Sequence, residues 1–275
     1  MIEKGLTMRP RRETFAADYI TETLSAAEFG LRFLEAEEAE WVISVLTEYF
    51  AATRNSDSPQ IREAHRVFIS LETAAPTSRA RGPQPASTPN HPGDIEVLSR
   101  IANGRRSVRW FSDEPVDRRA VDRAVGIALE SPTACNRSPY RFEIFDEPSD
   151  VRRVADLAMG TRGYSHQIKG LVVVVGLLNA FFDERDRHLI YIDSSLAAMS
   201  FVLGLESQGV ASCIINWPDI PERELKMRRL LQLSAAEKVV MLIAYGHPLE
   251  GSLAPYSGKQ SVTEARQFRN LEGAK

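Results

Sequence analysis

Cysteine is scarce in this sequence, and its scarcity limits the chemistry that the protein can perform. Only Cys135 and Cys213 occur among 275 residues, without a CxxC pair or a cysteine and histidine cluster at metal-ligand spacing. We therefore expect two free thiols and no bound metal ion. The pattern GxGxxG is also missing after a first strand, which argues against a nicotinamide-dependent enzyme built on a doubly wound sheet.

Neither sign of charge predominates in the chain. Lys and Arg number 34, and Asp and Glu number 37, which gives a formal net charge of −3. This balance provides no overall positive field that would attract nucleic acid or an acidic membrane. An anion could therefore bind only at a local basic cluster.

Long hydrophobic runs are missing as well. We find no run of the roughly 20 apolar residues that a membrane-spanning helix requires. Residues 1–15 contain several arginines but no apolar stretch that could form the core of a signal peptide. We therefore expect a cytoplasmic protein. Its apolar content of 43% is nevertheless sufficient to bury a substantial core.

Three parts of the chain differ in composition. Residues 1–74 carry apolar side chains at three- and four-residue spacing from residue 15 onward, which predicts a helical N-terminal extension. Residues 75–94 contain five prolines, which exclude a helix interior or a central strand and predict a linker or an extended arm. Residues 95–275 alternate helical patterns with short apolar runs, which predicts an α/β or α+β domain with an extended C-terminal tail.

The patterns within the last part predict individual elements. Strands are expected at 141–145, 171–178, 211–215 and 239–245. Helices are expected at 95–103, 117–129, 148–159, 188–208 and 221–233. We expect the third helix to end at a left-handed Gly160 and the last helix to be capped by Asp219. The helix at 188–208 is rich in small residues and can pack closely against another helix.

Arg105, Arg106, Ser107 and Arg109 form a basic cluster directly after a predicted helix end. Guanidinium groups donate several charge-assisted hydrogen bonds in a geometry that suits phosphate, and the hydroxyl adds another donor. The cluster therefore predicts a site for a phosphate ester. A solvated basic loop would have the same short sequence.

A loop of small residues between two prolines, at 131–139, follows a helix and precedes a strand. The prolines hold the backbone rigid and the small side chains leave its amides accessible, as a flat ring system would require. Asn136 can both donate to and accept from the edge of a heterocycle. A tight turn between a helix and a strand would look similar. Cys135 has no histidine nearby in sequence, which favours a packed, inert thiol over a nucleophile.

Together, these two segments resemble the flavin-dependent nitroreductase family, in which IANGRRSVRWF is followed about 25 residues later by SPTACNRSPYRF. Later segments agree in order and spacing, namely LVVVVGLL, YIDSSLAAMSFVLGLESQGVASCIINWPD and MLIAYGHP. The resemblance runs from about residue 95 to the C-terminus. It implies an α+β fold with a central, antiparallel-rich mixed sheet flanked by helices, and a homodimer with FMN at the subunit interface. The helical N-terminal extension lies outside it.

The resemblance also implies which residues hold FMN. The basic cluster would bind the ribityl phosphate and part of the pyrimidine edge, and the small loop of the partner subunit would lie along the isoalloxazine. The implied residues are Arg105, Arg106, Ser107 and Arg109 of the cluster and Pro132, Thr133, Ala134 and Asn136 of the loop. The helix at 188–208 matches the central dimer helix of the family, although a buried helix of a monomeric core would have the same composition.

Further positions match family sites near the ring and the phosphate. Asn216 and Trp217 match the loop whose main-chain amide faces flavin N5, although Trp217 could instead be a core aromatic. Lys259 matches a basic residue that reaches the phosphate, with a solvated tail lysine as the alternative. Ser257 stands where the family commonly has a second basic residue, so one charge is lost there, and Arg109 can compensate.

By this resemblance, the protein is an oxidoreductase that moves a hydride from NADH or NADPH through FMN to an electron-poor acceptor. A nitroaromatic, a quinone or a specialised biosynthetic intermediate would serve as the acceptor. The flavin carries the redox chemistry, so no catalytic side chain is required. The same fold also hosts dehalogenation, azoline oxidation and flavin-consuming chemistry, which leaves the acceptor open. The alternative is a non-catalytic flavin-binding or interaction module whose N-terminal helices recruit a partner.

Overall fold

The computed structural model describes residues 1–70, 82–86 and 92–269. The chain divides into two compact units, Met1–Asn90 and His91–Lys275. Most of the expected linker at 75–94 lies outside the described residues, as do residues 71–74 of the expected helical extension.

The first unit is helical and has its own core. Its helices are α1 (Ile2–Leu6), α2 (Ile20–Gly30), α3 (Ala36–Ala52) and α4 (Pro59–Ser70). Tyr49 is fully buried at the centre of this core, and its hydroxyl donates to the Phe15 carbonyl at 2.9 Å. Burial raises the pKa of Tyr49 to about 12, so the phenol is neutral and acts as a donor.

The second unit contains six helices and four strands within its described residues. The helices are α5 (Asp94–Gly104), α6 (Arg118–Leu129), α7 (Pro148–Ala155), α8 (Leu189–Glu206), α9 (Pro221–Leu231) and α10 (Val262–Ala265). The strands are β1 (Tyr140–Phe145), β2 (Gly170–Leu177), β3 (Ala211–Asn216) and β4 (Glu237–Gly246). The expected α+β fold is confirmed.

The strands form one sheet in the order β1-β2-β4-β3, and every neighbouring pair is antiparallel. Within the described part of the chain, the one parallel pairing is an isolated bridge between Ser107 and Ser212 at the β3 edge of the sheet. Residues 171–175 of β2 are fully buried because apolar clusters cover both faces of the sheet. One cluster includes side chains of α6 and α8, and the other includes side chains of α7 and α9. This burial on both faces explains the uninterrupted valine run.

The residues expected at two helix termini, Gly160 and Asp219, do not have the expected roles. Helix α7 ends at Ala155 because the Thr161 hydroxyl donates to the carbonyls of Ala155 and Ala158, at 2.7 and 2.9 Å, and stabilises a tighter turn. The left-handed glycine of this region is Gly163, with φ of 94°, and not Gly160. Helix α9 is preceded by Ile220, so Asp219 is not its cap, and Pro221 at the first turn presets the helical φ.

Helix α8 lies against the sheet. Its sequence contradicts our expectation that no stretch of the chain is long and apolar enough to span a membrane. The stretch Glu184–Glu206 is long and apolar enough, by length and composition alone, to cross a membrane, although half of its most apolar 18-residue window is buried inside the protein. Ala197, Ala198 and Phe201 of α8 are fully buried in the core. The same composition therefore serves a helix that packs within the domain.

Candidate functional site

The basic cluster runs beside the open edge of β3. Ser107 forms the parallel bridge with Ser212, and the Val108 amide donates to the Ser212 carbonyl at 3.1 Å. This pairing fixes the backbone of residues 105–109 against the sheet directly after α5 ends. Arg105, Arg106, Ser107 and Arg109 are all half-buried, so the cluster is not a fully solvated loop.

Positive charge accumulates at this edge without a paired acid. Arg106 donates to the carbonyls of Asn103 and Arg105, and Arg109 donates to the Ser107 carbonyl at 3.4 Å. Among the described residues, no carboxylate oxygen lies within 4.0 Å of any of these three guanidinium groups. Half-buried, unneutralised guanidinium groups favour a bound anion, and their geometry fits a phosphate.

Glu206, the last residue of α8, is an acid near the cluster that the sequence did not reveal. A Cβ placed on Gly104 would lie 3.1 Å from its Oε1, so the carboxylate faces the end of α5. Burial raises the pKa of Glu206, whereas the charges of Arg105 and Arg106 lower it to a smaller extent. Tertiary packing therefore brings one partly buried carboxylate from α8 to the end of α5, next to the cluster.

Tyr164 is a second neighbour of the cluster that sequence spacing could not indicate. The guanidinium carbon of Arg109 lies 5.8 Å from the centroid of its ring. Tyr164 is buried in the core beside the free thiol of Cys213, and burial raises the pKa of Tyr164 to about 12. The neutral ring holds Arg109 by a cation–π contact, which orients that side chain at the sheet.

The small loop at 131–138 has an unusual backbone. Cys135, Asn136 and Ser138 have φ values of 55°, 54° and 43°, although none of them is glycine. Left-handed conformations of such residues are costly and tend to occur at functional sites. Thr133 and Ala134 are half-buried, whereas Pro132 and Asn136 are exposed. Cys135 is a free thiol, as expected, but it is exposed and not packed in the core.

Hydrogen bonds hold this loop in place. The Ala134 amide donates to Asp193 Oδ2 at 3.0 Å, and the hydroxyls of Ser131 and Ser200 are 2.8 Å apart. Within the loop, the Ser138 amide donates to the Thr133 hydroxyl at 3.0 Å. The conformation is therefore fixed by contacts with α8 as well as by the loop itself.

The structure does not bring the two predicted halves of the site together within one chain. The small loop precedes β1 at one edge of the sheet, whereas the basic cluster lies beside β3 at the other edge. Three strand spacings separate these edges, about 14 Å at the usual 4.7–4.9 Å per strand. Each edge therefore presents one half of the predicted site.

Asn216 and Trp217 lie at the end of β3. Asn216 is exposed, and the strand places it about 13 Å from Ser212 at the usual rise per residue. The Trp217 side chain is only 8% exposed and belongs to the core, and its indole N–H donates to Glu224 Oε2 at 2.9 Å. The indole is thus a core aromatic, and any contact of this loop with a ligand is left to its main chain and Asn216.

Lys259 lies in the C-terminal tail, in the irregular segment just before α10. Its side chain is exposed, and among the described residues it makes no hydrogen bond or ion pair. Ser257 adopts a left-handed conformation with φ of 51°. Leu253 and Tyr256 nearby are 91% and 87% exposed. Among the described residues, the structure therefore shows no hydrogen bond or ion pair between Lys259 and the basic cluster, and its role at the phosphate stays a prediction.

Comparison with known proteins identifies the second unit. The model of the nitroreductase family matches residues 102–162 and 169–247, just over half of the chain. A nitroreductase family protein from Streptococcus pneumoniae has a similar crystal structure, with a TM-score of 0.54, 22% identity, and coverage of 62% of this chain and 100% of that chain. An FMN-dependent nitroreductase from Clostridium difficile gives a TM-score of 0.53, 19% identity, and coverage of 62% and 98%.

The match includes the basic cluster, the small loop and all four strands of the sheet. The two solved structures share the fold over nearly their whole length, whereas the first unit is not part of the match with the family model. The chain therefore belongs to the nitroreductase family, a family of oxidoreductases.

Proposed function

We propose that this protein binds FMN and moves a hydride from NADH or NADPH through it to an electron-poor acceptor. A nitroaromatic, a quinone or a specialised biosynthetic intermediate is the acceptor class. One observation carries the proposal, namely three half-buried guanidinium groups that have no carboxylate partner among the described residues, at the β3 edge of a nitroreductase-family domain. The phosphate of FMN supplies the anion that this edge lacks.

The residues of this chain have distinct tasks in the proposal. Arg105, Arg106 and Ser107 hold the phosphate through charge-assisted and hydroxyl hydrogen bonds. Arg109, oriented by Tyr164, places positive charge near the pyrimidine edge of the ring. When bound, FMN supplies the hydride-transfer chemistry, and the nearby positive charge favours its anionic reduced form. No side chain of this chain is assigned a proton-transfer step.

We further propose a homodimer in which the small loop of the partner subunit completes the site. Helix α5 buries none of its residues, and Ile95 and Leu98 on it are 64% and 52% exposed. Helix α8 exposes an apolar face formed by Tyr191, Ile192, Leu196 and Met199. Exposed apolar surfaces of this kind mark protein–protein interfaces. A second copy of the chain packed against them would also bring the small loop of each subunit to the basic cluster of the other.

The cofactor proposal is tested on the purified full chain. The visible absorbance is recorded after extensive dialysis, and the chromophore released by heat is identified by chromatography. We expect FMN near one per subunit. A colourless protein that also fails to take up added FMN would contradict the proposal.

The reductant and the acceptor require separate measurements. Anaerobic mixing of the flavin-loaded protein with NADH or NADPH should bleach the flavin absorbance, and the faster nucleotide is the reductant. Nitroaromatics and quinones are then compared as oxidants of the reduced protein. A flavin that neither nucleotide reduces would argue against the proposed cycle. We propose the cytoplasm as the location, because both nicotinamide nucleotides occur there.

The first unit favours a second candidate, an interaction module that recruits a partner. It has a core of its own, including Ile20 and Tyr49, and it exposes Phe29 and Phe33, whose rings are 5.2 Å apart. Deleting residues 1–93 separates the readings. Retained dimer and turnover would make the unit a separate interaction element, whereas insoluble protein would make it part of the fold.

A further inference from the structure

We infer that Asp193 of α8 is a positioning residue, whose carboxylate fixes the Ala134 amide and thereby holds the loop at 131–138 ready for the flavin ring. The hydrogen bond and its effect on the loop stand on the structure of this chain. The part that concerns the flavin rests on the proposed function.

Asp193 is a buried acid with one hydrogen-bond partner among the described residues. It is only 3% exposed, and its Oδ2 accepts from the Ala134 N–H at 3.0 Å. In the described part of the chain, no cation lies within 4.0 Å of this carboxylate and no other group donates to it. Burying a carboxylate is costly unless it is well paired, and a charge-assisted bond to a backbone amide is a strong pairing. Among the described residues, the hydrogen bond of this buried acid therefore goes to the loop.

The bonded amide occupies a sensitive place in the loop. Ala134 directly precedes Cys135 and Asn136, two of the three non-glycine residues of this loop that are left-handed. Such conformations persist only where the surroundings fix them. Loss of the bond should therefore release Cys135 and Asn136 toward ordinary backbone conformations.

A second bond shows that α8 acts as the support of this loop. The Ser200 hydroxyl lies 2.8 Å from the Ser131 hydroxyl, at the start of the loop. Asp193 and Ser200 are seven residues apart, so both lie on one face of α8. The helix thus holds the loop at two points, and the Asp193 bond is the one next to the strained residues.

Three variants separate a positioning role from a general structural one. D193A removes the acceptor, whereas D193N keeps an amide oxygen that can accept the same bond. A134P removes only the donor, because Thr133 before it already has the extended conformation, φ −130° and ψ 155°, that proline requires. D122N, an exposed acid on α6, is the control for loss of one charge.

Hydrogen exchange of the amides of residues 136–138 is the first readout, because it requires neither flavin nor activity. D193A and A134P should speed this exchange by about tenfold, as expected for loss of one buried charge-assisted bond. D193N and D122N should remain close to the wild-type protein. The double variant D193A/A134P should show no further increase, because both changes remove the same bond.

FMN affinity, followed by quenching of flavin fluorescence, is the second readout. D193A and A134P should weaken binding by about tenfold, and D193N should restore it to within about threefold of the wild-type value. Unchanged exchange in both D193A and A134P would overturn the inference. If D193A does not fold, then A134P with wild-type exchange would overturn it equally.

The two proposals fail in different ways. A wild-type protein that takes up no FMN would contradict the proposed function, whereas the exchange measurements would still test the loop support. Wild-type FMN binding that D193A and A134P leave unchanged would contradict only the positioning role of Asp193.

Discussion

Gly204 of α8 lies so close to Ala124 of α6 that a Cβ on Gly204 would be 3.0 Å from the Ala124 α-carbon. The obstacle is backbone, which cannot rotate away as a flexible side chain can. The absence of a side chain at Gly204 therefore allows α6 and α8 to pack together on one face of the sheet. At least one small residue of the 188–208 pattern, Gly204, is therefore needed for the close packing of α8 against α6.

We predict that G204A destabilises the protein, although alanine favours a helix. The clash should lower the free energy of unfolding by about 1–3 kcal/mol. Gly126 on α6 is the matched control, because no atom lies within 4 Å of a Cβ placed there. G126A should raise the free energy of unfolding by about 0.5–1 kcal/mol. Urea unfolding of both variants measures the difference, and equal effects would refute the close-packing explanation.

Acid should weaken the fold through Glu237. Arg141 donates to Glu237 and, at 2.6 Å, to Glu143. The bond from Arg141 lowers the pKa of Glu237 from 4.5 to about 2. Because the folded-state pKa lies below the unfolded one, this contribution is complete above pH 4.5 and disappears as the pH falls to about 2.

We therefore expect E237Q to lower the free energy of unfolding by about 1 kcal/mol at pH 7, as for a partly exposed ion pair. The difference from the wild-type protein should shrink between pH 4.5 and pH 2. Thermal unfolding across this range provides the measurement. E222Q, which removes the exposed partner of Lys226, should show a smaller effect. If the difference in the free energy of unfolding between E237Q and the wild-type protein did not change with pH, Glu237 would not be the cause of the acid sensitivity.

Substitution of Trp217, whose indole is hydrogen-bonded to Glu224, tests whether the indole belongs to the core. The Trp217 N–H donates to Glu224 Oε2 at 2.9 Å in a setting where Trp217 is 8% exposed. W217F keeps an aromatic ring but leaves the carboxylate without this donor. We expect the free energy of unfolding to fall by about 1–3 kcal/mol. A loss below about 0.5 kcal/mol, typical of a surface position, would refute the core role.

Sequence alone predicted the elements whose patterns are dictated by burial. The run at 171–178 became β2 with a shift of one residue, and the 188–208 pattern became α8 with shorter ends. Both patterns are strong because each element is buried on the face or faces that its spacing indicates. The helix ends at Gly160 and Asp219 were wrong, because a threonine hydroxyl and a proline decide them.

The residues of the candidate site also differ in whether the sequence could predict them. The basic cluster could be predicted because its members are adjacent in sequence and their side chains share one chemistry. Asp193, Glu206 and Tyr164 could not, because each reaches the site only through tertiary packing, from about 55 to about 100 residues away along the chain. Isolated acids and tyrosines have no spacing signal that distinguishes them from ordinary surface or core residues.

The basic cluster should discriminate FMN from riboflavin, which lacks the phosphate. We expect the wild-type protein to bind FMN more tightly, and R105A to weaken FMN binding by about tenfold while riboflavin binding changes little. R119A, on the exposed first turn of α6, is a control for loss of an arginine. Fluorescence titration with both ligands provides the measurement. Equal weakening for FMN and riboflavin would assign Arg105 to another part of the site.

The exposed face of α8 should control both assembly and cofactor binding. Leu196 on α8 and Leu225 on α9 are 45% and 43% exposed, so they form a matched pair. L196E places a charge in the proposed interface and should yield a monomer, whereas L225E should remain a dimer. Because the small loop and the basic cluster lie at opposite edges of one sheet, the L196E monomer should also lose FMN. Sedimentation with absorbance detection near 450 nm, where oxidised flavin absorbs, measures the oligomeric state and the bound flavin in one run. A wild-type monomer that retains FMN near one per chain would refute a site shared between two subunits.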